Sequence, residues 1–157
     1  MAERKFKGFG GLVLSADVRG AEEEPSVLLL HGGGQTRHVW QETAEALVKA
    51  GRHVISLDLR GHGRSARSED GRYEFDACVE DLRAVLAQLA SRPVVVGAGL
   101  GGWIALTAIG EEGAHLASGL VLADAPPEID LRTAAALAAS IRSAPAQTEH
   151  VDPVFGE

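Results

Sequence analysis

Three turns carry the residues best placed to do chemistry: His31-Gly32-Gly33-Gly34, Asp58-Leu59-Arg60-Gly61-His62-Gly63, and Gly97-Ala98-Gly99-Leu100-Gly101-Gly102. Each follows a short apolar run, and nine glycines fall within them. Glycine removes the side chain that would hold a ligand away from the main chain. Three such turns on one rim therefore predict a crevice where backbone approaches a ligand closely. The bland alternative is that glycine only permits tight strand-to-helix turns. The third turn also satisfies G-x-G-x-x-G through Gly97, Gly99 and Gly102, with Asp124 22 residues further on. Between a strand and a helix that pattern seats a pyrophosphate on the helix N-terminus and gives the ribose an acid, so dinucleotide binding is one reading. It leaves the first two turns unexplained. No two histidines share a ligand-like spacing, so no metal is expected. Cys78 falls in mid-helix and reads as a small buried apolar residue.

The elements that must position these turns alternate along the chain. Phe6 to Leu14 reads as part of an N-terminal hairpin turning near Gly10-Gly11. Ser26-Val27-Leu28-Leu29-Leu30, His53-Val54-Ile55-Ser56-Leu57 and Pro93-Val94-Val95-Val96 are short continuous apolar runs, the form of strands buried on both faces. Trp40 to Ala50 is predicted as a helix stopped by Gly51, and Phe75 to Ala90 as a second, with Asp76 as its cap and Val79, Leu82, Val85, Leu86 and Leu89 as its stripe. A third helix starts in the turn at 97–102 and runs through Trp103, Leu106 and Ile109. Leu120-Val121-Leu122 is a further strand ending at Asp124, and Leu131 to Ile141 an alanine-rich helix. The alternation predicts an α/β fold, a mostly parallel sheet with helices on both faces.

Composition excludes several classes. The 157 residues suit one domain, with 45% hydrophobic and 24% charged residues as in an ordinary globular chain. A net charge of -7 without a basic stripe argues against nucleic acid as a partner. No apolar run approaches the ~20 residues of a membrane helix, and no apolar h-region follows Met1 to Gly8. One cysteine makes no internal disulfide, so a cytoplasmic location is the expectation. Glycine is the outlier: 19 are present where average usage gives roughly 11.

Taken in order, His31-Gly32-Gly33-Gly34, then Asp58-Leu59-Arg60-Gly61-His62-Gly63-Arg64-Ser65, then Val94 through Gly102 resemble the signatures of the α/β-hydrolase family. Leu120-Val121-Leu122-Ala123-Asp124-Ala125-Pro126-Pro127 is similar to that family's sixth strand and its exit. The resemblance covers residues 10 to 130. It implies an oxyanion hole made by the backbone N–H groups of Gly33 and Leu100, each such donor being worth ~3–4 kcal/mol of transition-state stabilisation. It also implies a small-molecule ester or acyl substrate and no cofactor. His31 and His62 read as turn histidines held by hydrogen bonds rather than as catalysts.

The resemblance breaks at its centre. The family's nucleophile elbow is G-x-S-x-G, and Gly99 stands where the serine belongs. Loss of that nucleophile costs on the order of 10⁶ in turnover in a well-studied serine hydrolase. Gly99 also removes the ~1–3 kcal/mol of strain that an elbow imposes on other residues. The expectation is a chain of serine ester or acyl hydrolase lineage that is inactive as written. The alternative is a non-catalytic small-molecule or protein-binding module on the same fold, with Val39, Trp40 and Trp103 along an apolar cleft; core packing is the favoured reading of both tryptophans. The family order of nucleophile, acid and histidine would be met by position 99, Asp124 and His150. His150, however, lies in a Pro-flanked tail, and Asp124 reads first as a turn residue. Glu128, Asp130, Glu149 and Asp152 read as solvated charges. Residues 1–130 are assigned to the core and 131–157 to the start of a lid or a loosely held tail, giving about six strands with the seventh and eighth absent. A sixth strand left as an apolar edge would invite self-association.

Overall fold

A computed structural model describes residues 1–112 and 115–124. The expected helix at 131–141, the lid boundary at 131, the tail and His150 lie outside the described residues. Six strands and three α-helices run in the order β1 (Ala2–Lys7), β2 (Val13–Arg19), β3 (Ser26–Leu30), α1 (Gln41–Lys49), β4 (His53–Leu57), α2 (Phe75–Ala87), β5 (Val94–Ala98), α3 (Leu100–Glu112) and β6 (Gly119–Ala123). One sheet holds all six strands in the order β1-β2-β4-β3-β5-β6. β1, β2 and β4 pair antiparallel; β4, β3, β5 and β6 pair parallel.

The apolar runs explain why the parallel strands sit centrally. All five residues of β3 and of β4 are buried, as strands covered on both faces require. Alternate side chains of β3 then enter different cores. Leu28 and Leu30 pack with Ile55, Leu57, Val95 and the stripes of α2 and α3, among them Val79, Leu82, Val85, Ile104 and Ala108. Val27 and Leu29 join Val54 and Ala44 of α1, with Trp40, Leu47 and Val48 against them. Helices therefore cover both faces. β1 is outermost at one end and carries Glu3, Arg4, Lys5 and Lys7, charges that discourage pairing with another chain. β6 is outermost at the other among the described residues; it is half-buried, and Val121 is 49% exposed.

The hairpin, β3, β4, β5 and β6 fall where the sequence places them. Helix α2 starts at Phe75 as expected but stops at Ala87, and its N-cap is Glu74 with no side-chain cap bond, so Asp76 lies in the first turn instead of capping it. An acid there still favours the helix N-terminus through the macrodipole.

The topology fixes where a site can form. After β3 the chain adds β4 on one side and then returns to add β5 on the other. That reversal is a topological switch point, and the crevice beyond the carboxyl ends of β3 and β5 is where open α/β sheets bind ligands. The turn after β3 is 31–34; the turn after β5 is centred on Gly99.

Candidate active site

Gly99 is the one residue between the last of β5 and the first of α3, and its φ is +49°. This is the left-handed region, where a strand turns sharply into a helix. Its N–H donates to Ala123 O at 3.3 Å, and its carbonyl receives Trp103 N–H at 3.1 Å, so the bend is anchored to β6 on one side and to α3 on the other. The neighbouring glycines are there because nothing else fits. A Cβ at Gly97 would lie 2.5 Å from Gly101 O and from Gly102 Cα, and one at Gly101 would lie 2.5 Å from His31 O and 2.6 Å from Leu30 O. Among the described residues, and leaving out its two chain neighbours, a Cβ at Gly99 would meet only Gly32 Cα, at 3.7 Å, an ordinary contact. The turn thus demands glycine on both flanks and keeps room for a side chain at its apex, beside the loop that follows β3.

Two backbone donors in the adjoining turns are unused. Among the described residues, neither Gly33 N–H nor Leu100 N–H has a hydrogen-bond acceptor, and both residues are half-buried. Leu100 opens α3, whose first-turn N–H groups point out of the helix with the positive end of its dipole. Asp124 follows Ala123 at the end of β6, is exposed, and has φ +54°, a left-handed conformation that aspartate tolerates better than most residues. Trp40 packs against the smaller core, whereas Trp103 is half-buried on α3.

Both turn histidines are held as expected. His31 is fully buried; its Nε2 accepts Leu59 N–H at 3.0 Å, so the hydrogen resides on Nδ1, which donates to Gly32 O at 2.7 Å. His62 Nε2 accepts Gly34 N–H at 3.1 Å, and Nδ1 donates to Arg60 O at 3.0 Å. Burial, with the nearby His62 adding to it, pushes the His31 imidazole down to about 4, against opposing help from Gly32 O and Asp58. The fold favours the neutral ring. Its contribution is complete above the ordinary histidine value of 6.5 and is lost as pH falls from there toward 4. Urea unfolding at pH 4.5 should give a stability about 2–3 kcal/mol below that at pH 7. Equal stability at the two pH values would contradict this placement of His31.

Sequence reasoning missed the charged residues that hold the rim. Asp58 is fully buried and accepts Arg37 N–H at 2.7 Å and Arg64 N–H at 2.9 Å while pairing with the Arg37 guanidinium, which also meets Asp17 at 3.0 Å. It ties the loop after β3 to the loop after β4. Arg60 makes a two-point contact with Asp81 of α2, Nε to Oδ2 at 2.6 Å and Nη2 to Oδ1 at 2.7 Å, and Asp81 also accepts Phe9 N–H at 2.8 Å. These pairs join residues 21 apart in sequence, which no local pattern signals. Cys78 lies outside the site; burial raises its thiol to about 11, leaving it protonated and unreactive at neutral pH. No group of three or more metal-ligating side chains occurs among the described residues. No helix among them is long and apolar enough to cross a membrane.

Comparison with known proteins gives a consistent picture. The family profile for the alpha/beta hydrolase fold matches residues 25–146. The chain is 39% identical over 111 residues to esterase Rv0045c of Mycobacterium tuberculosis, an alignment covering 70% of this chain and 36% of that one. It is 36% identical over 103 residues to the non-heme chloroperoxidase CPO-A1 of Kitasatospora aureofaciens, covering 64% and 37%. The crystal structure of esterase RhEst1 from Rhodococcus sp. ECU1013 superposes with a TM-score of 0.72 at 29% identity, over 83% of this chain and 48% of the other. The chain spans less than half the length of each of these relatives.

Proposed function

The chain belongs to the alpha/beta hydrolase fold family, and on that premise we propose that it carries an acyl-hydrolase site from which the nucleophile is missing. The observation that carries this reading is the elbow. Gly97 and Gly101 have no space for a side chain, while Gly99 has both the space and the φ of +49° that the fold holds there. A site that keeps the strained bend and the vacant apex is built for a residue it does not contain.

The remaining parts fit acyl chemistry. In this reading Gly33 N–H and Leu100 N–H supply the two donors that an oxyanion needs, supported by the absence of an acceptor for either among the described residues. Esters are the substrate class, supported by the esterases among the relatives. Asp124 at the end of β6 and His150 keep the family order of acid and histidine in the chain; a restored nucleophile would be activated through His150 or another base. The dinucleotide reading of Gly97, Gly99 and Gly102 is disfavoured because the space at position 99 and the turns at 31–34 and 58–65 are accounted for together by the hydrolase arrangement. A non-catalytic role in binding acyl compounds follows if the chain works as it stands. Among the described residues β6 has no neighbour on its outer side, and pairing with a second copy would form there.

The test is Gly99→Ser, assayed with a fluorophosphonate probe and a p-nitrophenyl ester beside the unaltered chain. Labelling of the variant alone supports the reading. A folded variant that stays unlabelled removes it.

A further inference from the structure

His31 and His62 do more than occupy their turns. Each belongs to one rim loop and bonds to the other: His31, after β3, accepts Leu59 N–H, and His62, after β4, accepts Gly34 N–H. Their rings lie 5.0 Å apart at 53°, so the two cross-loop bonds are neighbours. Gly33 lies in the chain between Gly32, whose carbonyl His31 binds, and Gly34, whose N–H His62 binds. The peptide joining Gly32 to Gly33 has its carbonyl fixed by His31 Nδ1–H at 2.7 Å and by Gln35 N–H at 3.2 Å. In a trans peptide the N–H points opposite to the carbonyl, and every described peptide is trans. Drawing Gly32 O toward the buried His31 ring therefore turns Gly33 N–H away from it. The next peptide, from Gly33 to Gly34, is fixed at its N–H end by His62 Nε2.

From this geometry we propose that His62, acting with His31, is a positioning residue that sets the direction of the Gly33 N–H. The proposal rests on the acyl-site reading, in which that N–H is an oxyanion donor. Three successive glycines have the widest conformational freedom of any tripeptide, and a donor stabilises a developing charge only if it already points at it. Bonds to both peptides of Gly33 remove that freedom without placing a side chain in the crevice.

His62 is the better handle, because His31 is fully buried in the core. His62→Phe keeps a ring and removes the acceptor, whereas His62→Gln returns an acceptor oxygen near the place of Nε2. In the ¹⁵N-labelled chain the Gly33 amide is expected to have an order parameter near ~0.85, falling below ~0.6 in His62→Phe and recovering in His62→Gln, with β3, β5 and α3 unchanged. In the Gly99→Ser background the rate of fluorophosphonate labelling should fall about a hundredfold with His62→Phe and recover with His62→Gln. A Gly33 amide equally ordered in His62→Phe overturns the proposal. So does the absence, in the unaltered chain, of a through-bond coupling between Gly34 N and His62 Nε2, a measurement that needs no variant to fold. Failure of Gly99→Ser itself to label counts against the acyl-site reading, and the amide measurements then still decide the brace.

Discussion

Gly99→Ser is expected to turn a chain that ignores fluorophosphonates into one labelled once, at that position. The size of the effect follows from what a nucleophile supplies. Removing it from a serine hydrolase costs on the order of 10⁶ in turnover and leaves only oxyanion and binding contributions, so the unaltered chain should be silent toward a p-nitrophenyl ester. The hydroxyl would stand at the apex of the elbow, where among the described residues beyond its chain neighbours the nearest atom to its Cβ is Gly32 Cα at 3.7 Å. The same replacement should weaken the fold. At φ +49° a serine carries strain of ~1–3 kcal/mol that glycine does not. Thermal unfolding of the variant should fall by roughly 3–8 °C. Gain of labelling with loss of stability is the signature; labelling without any loss would mean that the elbow relaxes.

Asp58→Ala should cost about 3–5 kcal/mol, read by urea denaturation, because it leaves the Arg37 guanidinium buried without its main partner. Arg37 and Asp58 are 4% and 0% exposed. The carboxylate also accepts the N–H groups of Arg37 and Arg64, so its loss orphans donors in both rim loops at once. Asp17 and Glu3 remain near Arg37, at 3.0 and 3.5 Å, and soften the loss without replacing the backbone bonds. A loss below about 1 kcal/mol, the range of exposed ion pairs, would mean that the two loops are not tied through Asp58.

These two residues show what the sequence makes legible and what it hides. The strands β3 and β4 are readable to the residue because burial on both faces leaves an unbroken apolar run. The three glycine turns are readable because tight turns and close approaches leave a compositional trace. Gly99 could be recognised as a departure from a pattern, but only the fold separates it from Gly97 and Gly101, since space for a Cβ is set by atoms of β3 and α3. Asp58 and Arg60 are legible as part of a turn, but their burial and their partners, Asp81 among them, are not. Their burial follows from pairs made across loops and helix, after the chain has brought together residues that carry no local sign of each other. Asp124 is legible as the residue that ends β6, because the apolar run before it is unbroken.

The central claim is that the crevice keeps two oxyanion donors around an emptied nucleophile position. The most direct test is a titration of the unaltered, ¹⁵N-labelled chain with butyrate, followed at the Gly33 and Leu100 amides. A carboxylate offers an acyl oxygen to both donors and can lay its second oxygen in the space above Gly99. Both amides should shift together along one saturable curve. Shifts confined to other residues, with Gly33 and Leu100 unmoved while butyrate binds, would contradict the account, as would no binding at all.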